Sequence, residues 1–176
     1  MEENKSIFEY FKEVKKLLKK VKMDDKFYSE PSLFMPDATI DPPIITYKIK
    51  TREPDRKQTG MKPSIKFSNE YNTEELHGQL FDSEVQYSIY GKNYDNINKT
   101  REWFESFLIR HTNKLKKQDI IESVFLRQEE DEVIEINESY YIKQPLIYFV
   151  KTPRVFKISF EEIEEIESEI FFKKEL

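Results

Sequence analysis

Residues 80–90 of this chain read LFDSEVQYSIY, and no other stretch restricts the fold as tightly. Phe81, Val85, Tyr87 and Ile89 fall on one side of an extended chain, and Asp82, Glu84, Gln86 and Ser88 fall on the other. Side chains alternate with a period of two along a strand, so a slip of one residue would turn the whole apolar row out to water. The stretch therefore predicts a strand with one face buried and its polar face in solvent, and the buried face needs a cover. The next segment supplies one. After the polar GKNYDN, Ile97, Thr100, Phe104, Phe107, Leu108, His111 and Leu115 recur with helical spacing, and Trp103 broadens the apolar side. Asn93 or Asp95 can cap this helix, and Lys116 and Lys117 are cations suited to its C-terminus.

The flanking segments extend this unit. In residues 1–22, Ile7, Phe8, Phe11, Val14, Leu17, Leu18 and Val21 form an amphipathic stripe, with Ser6 and Glu9 spaced as a capping box. Residues 23–43 lose all period and carry Pro31, Pro36, Pro42 and Pro43, which predicts a proline-rich connector. Residues 44–50 alternate Ile45, Tyr47 and Ile49 against Thr46, Lys48 and Lys50, as a half-buried strand does. Residues 51–75 predict a long loop.

Residues 120–126 suit a strand, and QEEDEVIEINES reads as an acidic connection able to form a small hairpin. Residues 140–158 are strand material interrupted by Pro145 and Pro153, which predicts edge strands or strand ends rather than one central strand. Ile163, Ile166, Ile170 and Phe171 space a narrow stripe on an acidic C-terminal helix over 160–173. The expected architecture is one α+β domain over 1–176. A small mixed or antiparallel sheet flanked by helices has its core in 80–159, with the N-terminal helix, long loop and C-terminal helix as appendages.

Composition narrows the function. No stretch approaches the roughly 20 apolar residues of a membrane span, so no membrane contact is expected. The charged, interrupted start has no signal-peptide pattern. The absence of cysteine removes thiol nucleophiles, disulfides and thiolate zinc sites. A net charge of −5 argues against a protein that coats nucleic acid. Three glycines, at 60, 78 and 91, cannot make a glycine-rich phosphate loop, and no nucleophile elbow, zinc helix or calcium loop occurs.

The remaining chemical candidates have plainer readings. His77 reads as exposed and His111 as a helix-end or core-border residue rather than as a general base. Asp82 and Glu84 share a strand face, as paired carboxylates would, but an alternating strand must show water something. The acidic run Glu129, Glu130, Asp131 and Glu132 matches no cation-loop spacing and reads as a solvated turn. Trp103, Phe104, Phe107, Tyr87 and Tyr90 fall at core positions rather than on a base-stacking platform. No catalytic residue, cofactor or metal is expected.

Taken in order, these elements carry a resemblance. The strand Val85-Gln86-Tyr87-Ser88-Ile89 is followed by a polar turn and by a helix from near Asn96 with Arg101 and Phe104. Then come a strand ending in Phe125-Leu126-Arg127, an acidic connection with Asp131, and the closing run Leu146-Ile147-Tyr148-Phe149-Val150. This segment, nearly half the chain, resembles the core of tail terminator or tail completion proteins of long-tailed bacteriophages. The resemblance implies a virion protein assembled in the host cytoplasm as a homo-oligomeric ring, commonly a hexamer. Such a ring caps the tail tube, meets the head connector, and lets DNA through its lumen without specific binding. The proline-rich connector and acidic final helix depart from the smaller members.

A ring requires a heterologous contact, and opposite charges are one way to set its register. The cations Lys15, Lys16, Lys19 and Lys20, or Arg52, Arg56 and Lys57 in the long loop, are candidates for one side. An acidic segment such as Glu161, Glu164 and Glu165 is a candidate for the other. The alternatives are another neck or head-tail connector protein, a cytosolic adaptor or nucleic-acid-associated module using the basic helix and long loop, and an enzyme with a carboxylate site.

Overall fold

The computed structural model describes residues 7–30, 41–55, 74–116 and 120–159, with the backbone alone at 74–78 and 154–159. The elements are α1 (Ile7–Lys19), a 3-10 turn (Asp24–Lys26), β1 (Phe27–Ser29), β2 (Ile44–Pro54), β3 (Glu74–Gly91), α2 (Tyr94–Lys116), β4 (Glu122–Gln128), β5 (Glu132–Ile136) and β6 (Ser139–Ser159). The six strands form one sheet in the order β1-β2-β3-β6-β4, with β5 also paired to β6. Among the described residues, only the short β1 runs parallel to its neighbour, and every other pairing is antiparallel.

Both helices cover the same face of the sheet. Val85, Tyr87 and Ile89 of β3 share that face with Ile45 of β2 and with Leu146, Tyr148 and Val150 of β6. Tyr87 is the hinge of the packing: its ring meets Phe11 of α1 edge-on at 6.5 Å and Phe104 of α2 at 5.0 Å. Each large apolar side chain buried there is worth about 1.5–3 kcal/mol, so this face supplies most of the cohesion. Two buried hydroxyls cross the layer with it. Tyr87 Oη donates to Tyr10 Oη at 3.0 Å, which lies 3.0 Å from Ser123 Oγ on β4.

The helix starts and turns obey local chemistry. Of the two candidate caps for α2, Asn93 serves: its Oδ1 accepts the Asn96 N–H at 2.9 Å. The β5–β6 hairpin turns through Asn137 and Glu138 at φ 49° and 62°. Two positive φ values in a two-residue turn match the right-handed twist of the flanking strands. Ser6 and the helix expected over 160–173 lie outside the described residues, as do 31–40 of the connector and 56–73 of the long loop.

Four expectations are corrected. β6 is a single strand of 21 residues and is central, because β3 pairs one side of it and β4 and β5 pair the other. Its prolines are tolerated for a positional reason. The Pro145 carbonyl accepts the Glu129 N–H at 3.0 Å, so the ring nitrogen also points to the side where β4 has ended and β5 has not begun. Pro153 has the same parity, and it lies past Glu122↔Lys151, the last β4 pair.

The other corrections are smaller. The connector contributes β1, whose Phe27 is buried against Tyr47 at 4.8 Å. The long loop begins later than 51, since β2 continues through a bulge between Ile49 and Thr51 to Pro54. Finally, α1 closes at Lys19, leaving Val21 and the off-stripe Phe8 exposed.

Candidate assembly surfaces

The helix-free face of the sheet carries charges that compensate one another. Asp82 and Glu84 do not act as a carboxylate pair. Lys151 Nζ bridges Asp82 at 3.4 Å and Asp55 at 3.0 Å, while Arg127 lies 3.4 Å from both Glu84 and Glu129. Lys50 reaches Glu129 at 2.7 Å, and that hydrogen bond holds the Glu129 carboxyl below its ordinary range. Further along the same face the charges are buried. Glu30, just past β1, has Lys48 Nζ and Lys143 Nζ each 3.0 Å from its carboxylate, and Tyr90 Oη donates to it at 3.0 Å. Burial would raise the Glu30 carboxyl, but the bonds and charge of Lys48 and Lys143 outweigh it and hold the group low. Burial, reinforced by the Glu30 charge, pushes the Tyr90 phenol well up.

Polar alternation did not place this whole face in water. Gln86 and Ser88 are buried, and Gln86 Nε2 donates to Ser88 Oγ at 2.8 Å. Among the described residues no cluster of metal-ligating side chains occurs, and no helix is long and apolar enough to cross a membrane. His111 borders the core: its Nδ1 lies 2.8 Å from the Phe107 carbonyl and its ring packs on Phe107. Trp103 stacks on Phe107 at 5.4 Å and stays partly exposed in a shallow groove with Lys99, Arg110 and Val21.

The cations expected at an interface occupy different settings. Lys15, Lys16, Lys19 and Lys20 are exposed on or just past α1, with Lys16 paired to Glu13 at 3.2 Å. Arg52 belongs to β2 instead of a loop and sits 4.4 Å over the Phe81 ring, a cation–π contact within the chain. Arg56, Lys57, Glu161, Glu164 and Glu165 lie outside the described residues.

The surface that sequence reasoning missed is the outer edge of β4. Val124, Phe125 and Leu126 are each close to half exposed, beside Ile109 of α2 at 74%. Leu108, Ile109, Phe125 and Tyr148 line a mainly apolar groove of about 140 Å³ together with Glu105, Thr112 and Ser123. Among the described residues no strand pairs with the outer side of β4. An edge strand with bare N–H and C=O groups and outward apolar side chains is a template for association. One signal was available: Ile109 is apolar but out of phase with the buried stripe of its helix.

No protein-family model matches the chain, and no curated protein matches it.

Proposed function

We propose that this chain is a structural subunit of the neck of a long-tailed bacteriophage, a tail terminator whose copies close into a ring between tail tube and head connector. The observation that carries the reading is the exposed β4 edge with its apolar groove. A monomeric enzyme has little use for such an edge, whereas a ring subunit needs one face to offer a neighbour. The order β3, α2, β4, acidic hairpin and β6 supports it, because that is the order in which the resemblance to tail terminators runs. In this reading the chain is a virion component with no catalytic residue, cofactor or metal, and DNA passes its lumen ungripped.

Light scattering and negative-stain images of the purified chain test it. A closed ring of fixed copy number is the expected result, and a monomer at every concentration refutes it. A second reading, a nucleic-acid-associated module, is favoured by the Lys99, Trp103 and Arg110 groove. Retention on DNA falling steeply with salt would select it.

A further inference from the structure

Trp103, the only tryptophan of the chain, stacks on Phe107 and keeps 36% of its surface in water. It stands in an open groove of about 400 Å³ between Val21, just past α1, and the outer side of α2. Lys99 and Arg110 line the groove with it, and Lys20 and Lys22 adjoin Val21 in the chain. All four cations are exposed and have no ion-pair partner among the described residues. The groove's one carboxylate, Glu102, is 71% exposed and lies 3.8 Å from Arg101, which is not part of the groove. An aromatic floor among unpaired cations fits a ligand with an apolar side bordered by negative charge.

The chain itself carries such a ligand, outside the described residues. Residues 160–171 read FEEIEEIESEIF, in which Ile163, Ile166 and Ile170 recur at helical steps among six glutamates. This segment starts far from the groove of its own copy. Past the last β2 and β4 pairs, at Phe81 and Lys151, β3 and β6 run on together to Glu74↔Ser159. Phe104 of α2 packs on Tyr87, which pairs with Leu146, so Ser159 lies about 40 Å further along the strand at about 3.3 Å per residue. A helical stripe over 160–170 spans only about 16 Å and falls short of that distance.

We propose that the acidic segment of one copy docks in the Trp103 groove of the next. Ile163, Ile166 and Ile170 meet Trp103 and Val21, and the glutamates beside them face Lys99 and Arg110. Apolar burial supplies the affinity, and the charges set orientation. A groove on one copy that takes a segment from another is a heterologous contact, which closes into a ring when the rotation allows. The inference therefore rests on the ring reading and deepens it by naming two surfaces that meet.

The emission of Trp103 reads the contact directly, because no other tryptophan contributes. In the full chain it should shift to the blue as rising concentration drives assembly. Lys99→Glu with Arg110→Glu reverses the groove, and Glu161→Lys with Glu164→Lys and Glu165→Lys reverses the segment. Each set alone should raise the concentration needed for assembly, and for the shift, about tenfold or more. Both sets in one chain restore the charge match, so assembly and shift should return.

Rings that form with Trp103 emission unchanged, or that persist in either set alone, overturn the contact and leave the ring reading intact. Assembly lost in each set and not regained in the combined chain also overturns the contact, since the two sets of charges would then act separately. A thymidine oligomer that quenches Trp103 in the wild type but not in the groove variant assigns the groove to nucleic acid and overturns the docking. A wild-type chain that stops at two copies, with the shift, overturns the ring and leaves the contact. A chain that stays monomeric at every concentration overturns both.

Discussion

The buried charges around Glu30 make a demanding test of how the helix-free face is held. In Glu30→Gln the side chain keeps its shape and one acceptor oxygen, so Tyr90 and Lys143 retain a partner. The second carboxylate oxygen becomes an amide NH2 that presents a donor to the Lys48 ammonium, 3.0 Å away in the native protein. The Glu30 side chain is only 7% exposed, and hydrogen bonds to charged groups contribute about 1.5–3 kcal/mol each. Removing one member of a buried pair costs about 3–5 kcal/mol. Two features reduce that figure here: Lys48 is 39% exposed and can rehydrate, and Lys143 keeps Glu132 at 3.2 Å. The expected loss is about 2–3 kcal/mol, or about 4–12 °C in Tm for a chain of this size.

Urea denaturation at pH 7 measures the loss, and a pH series tests its origin. The Glu30 carboxyl is held low in the folded state, so its contribution is fully present above the unfolded value of about 4.3 and disappears as pH falls through the lower folded value. The gap between wild type and variant should therefore be flat from about pH 6 to 8 and close toward pH 3. Lys143 is raised, with its bonds to Glu30 and Glu132 outweighing burial, so its contribution is lost only at alkaline pH. A gap under about 0.5 kcal/mol, or one unchanged at pH 3, refutes the account.

Further substitutions probe other elements. Glu138→Gly should stabilise by about 0.5–1 kcal/mol in a thermal melt, because Glu138 holds φ 62° where glycine has no Cβ penalty. Tyr10→Phe should cost about 1–3 kcal/mol in urea and exceed Tyr87→Phe, because it strips the hydroxyl bonded to both Tyr87 and Ser123. Gly91→Ala should cost about 1–3 kcal/mol by the same assay, since a Cβ there would meet Ile97 Cγ1 at 2.6 Å in a packed site.

Much of the core was legible because its rules are local. Phe81 to Ile89 alternate, Ile97 to Leu115 keep a helical step, and Asn93 can cap only the turn immediately after it; each statement concerns residues within a few positions. The prolines of β6 misled for the same reason. Whether Pro145 breaks a strand depends on what lies beside it, and the Glu129 N–H that donates to its carbonyl comes from another part of the sheet, at the step between β4 and β5. The candidate surfaces divide likewise: the lysine stripe of α1 is visible as a period, but the apolar β4 edge is not. Val124, Phe125 and Leu126 look like any buried strand until the sheet order leaves β4 at an edge.

By itself, then, the sequence determined that α1, β2, β3 and α2 are helix or strand and which side of 80–115 faces the main core, since periodicity and capping act over one or two turns of chain. Tertiary structure alone decided that β6 is central, that β1 joins at all, that Glu30 meets Lys48 and Lys143, and that an apolar strand is left at the rim. Those outcomes depend on which distant segments become neighbours, and strand order carries no local signature in the residues that obey it.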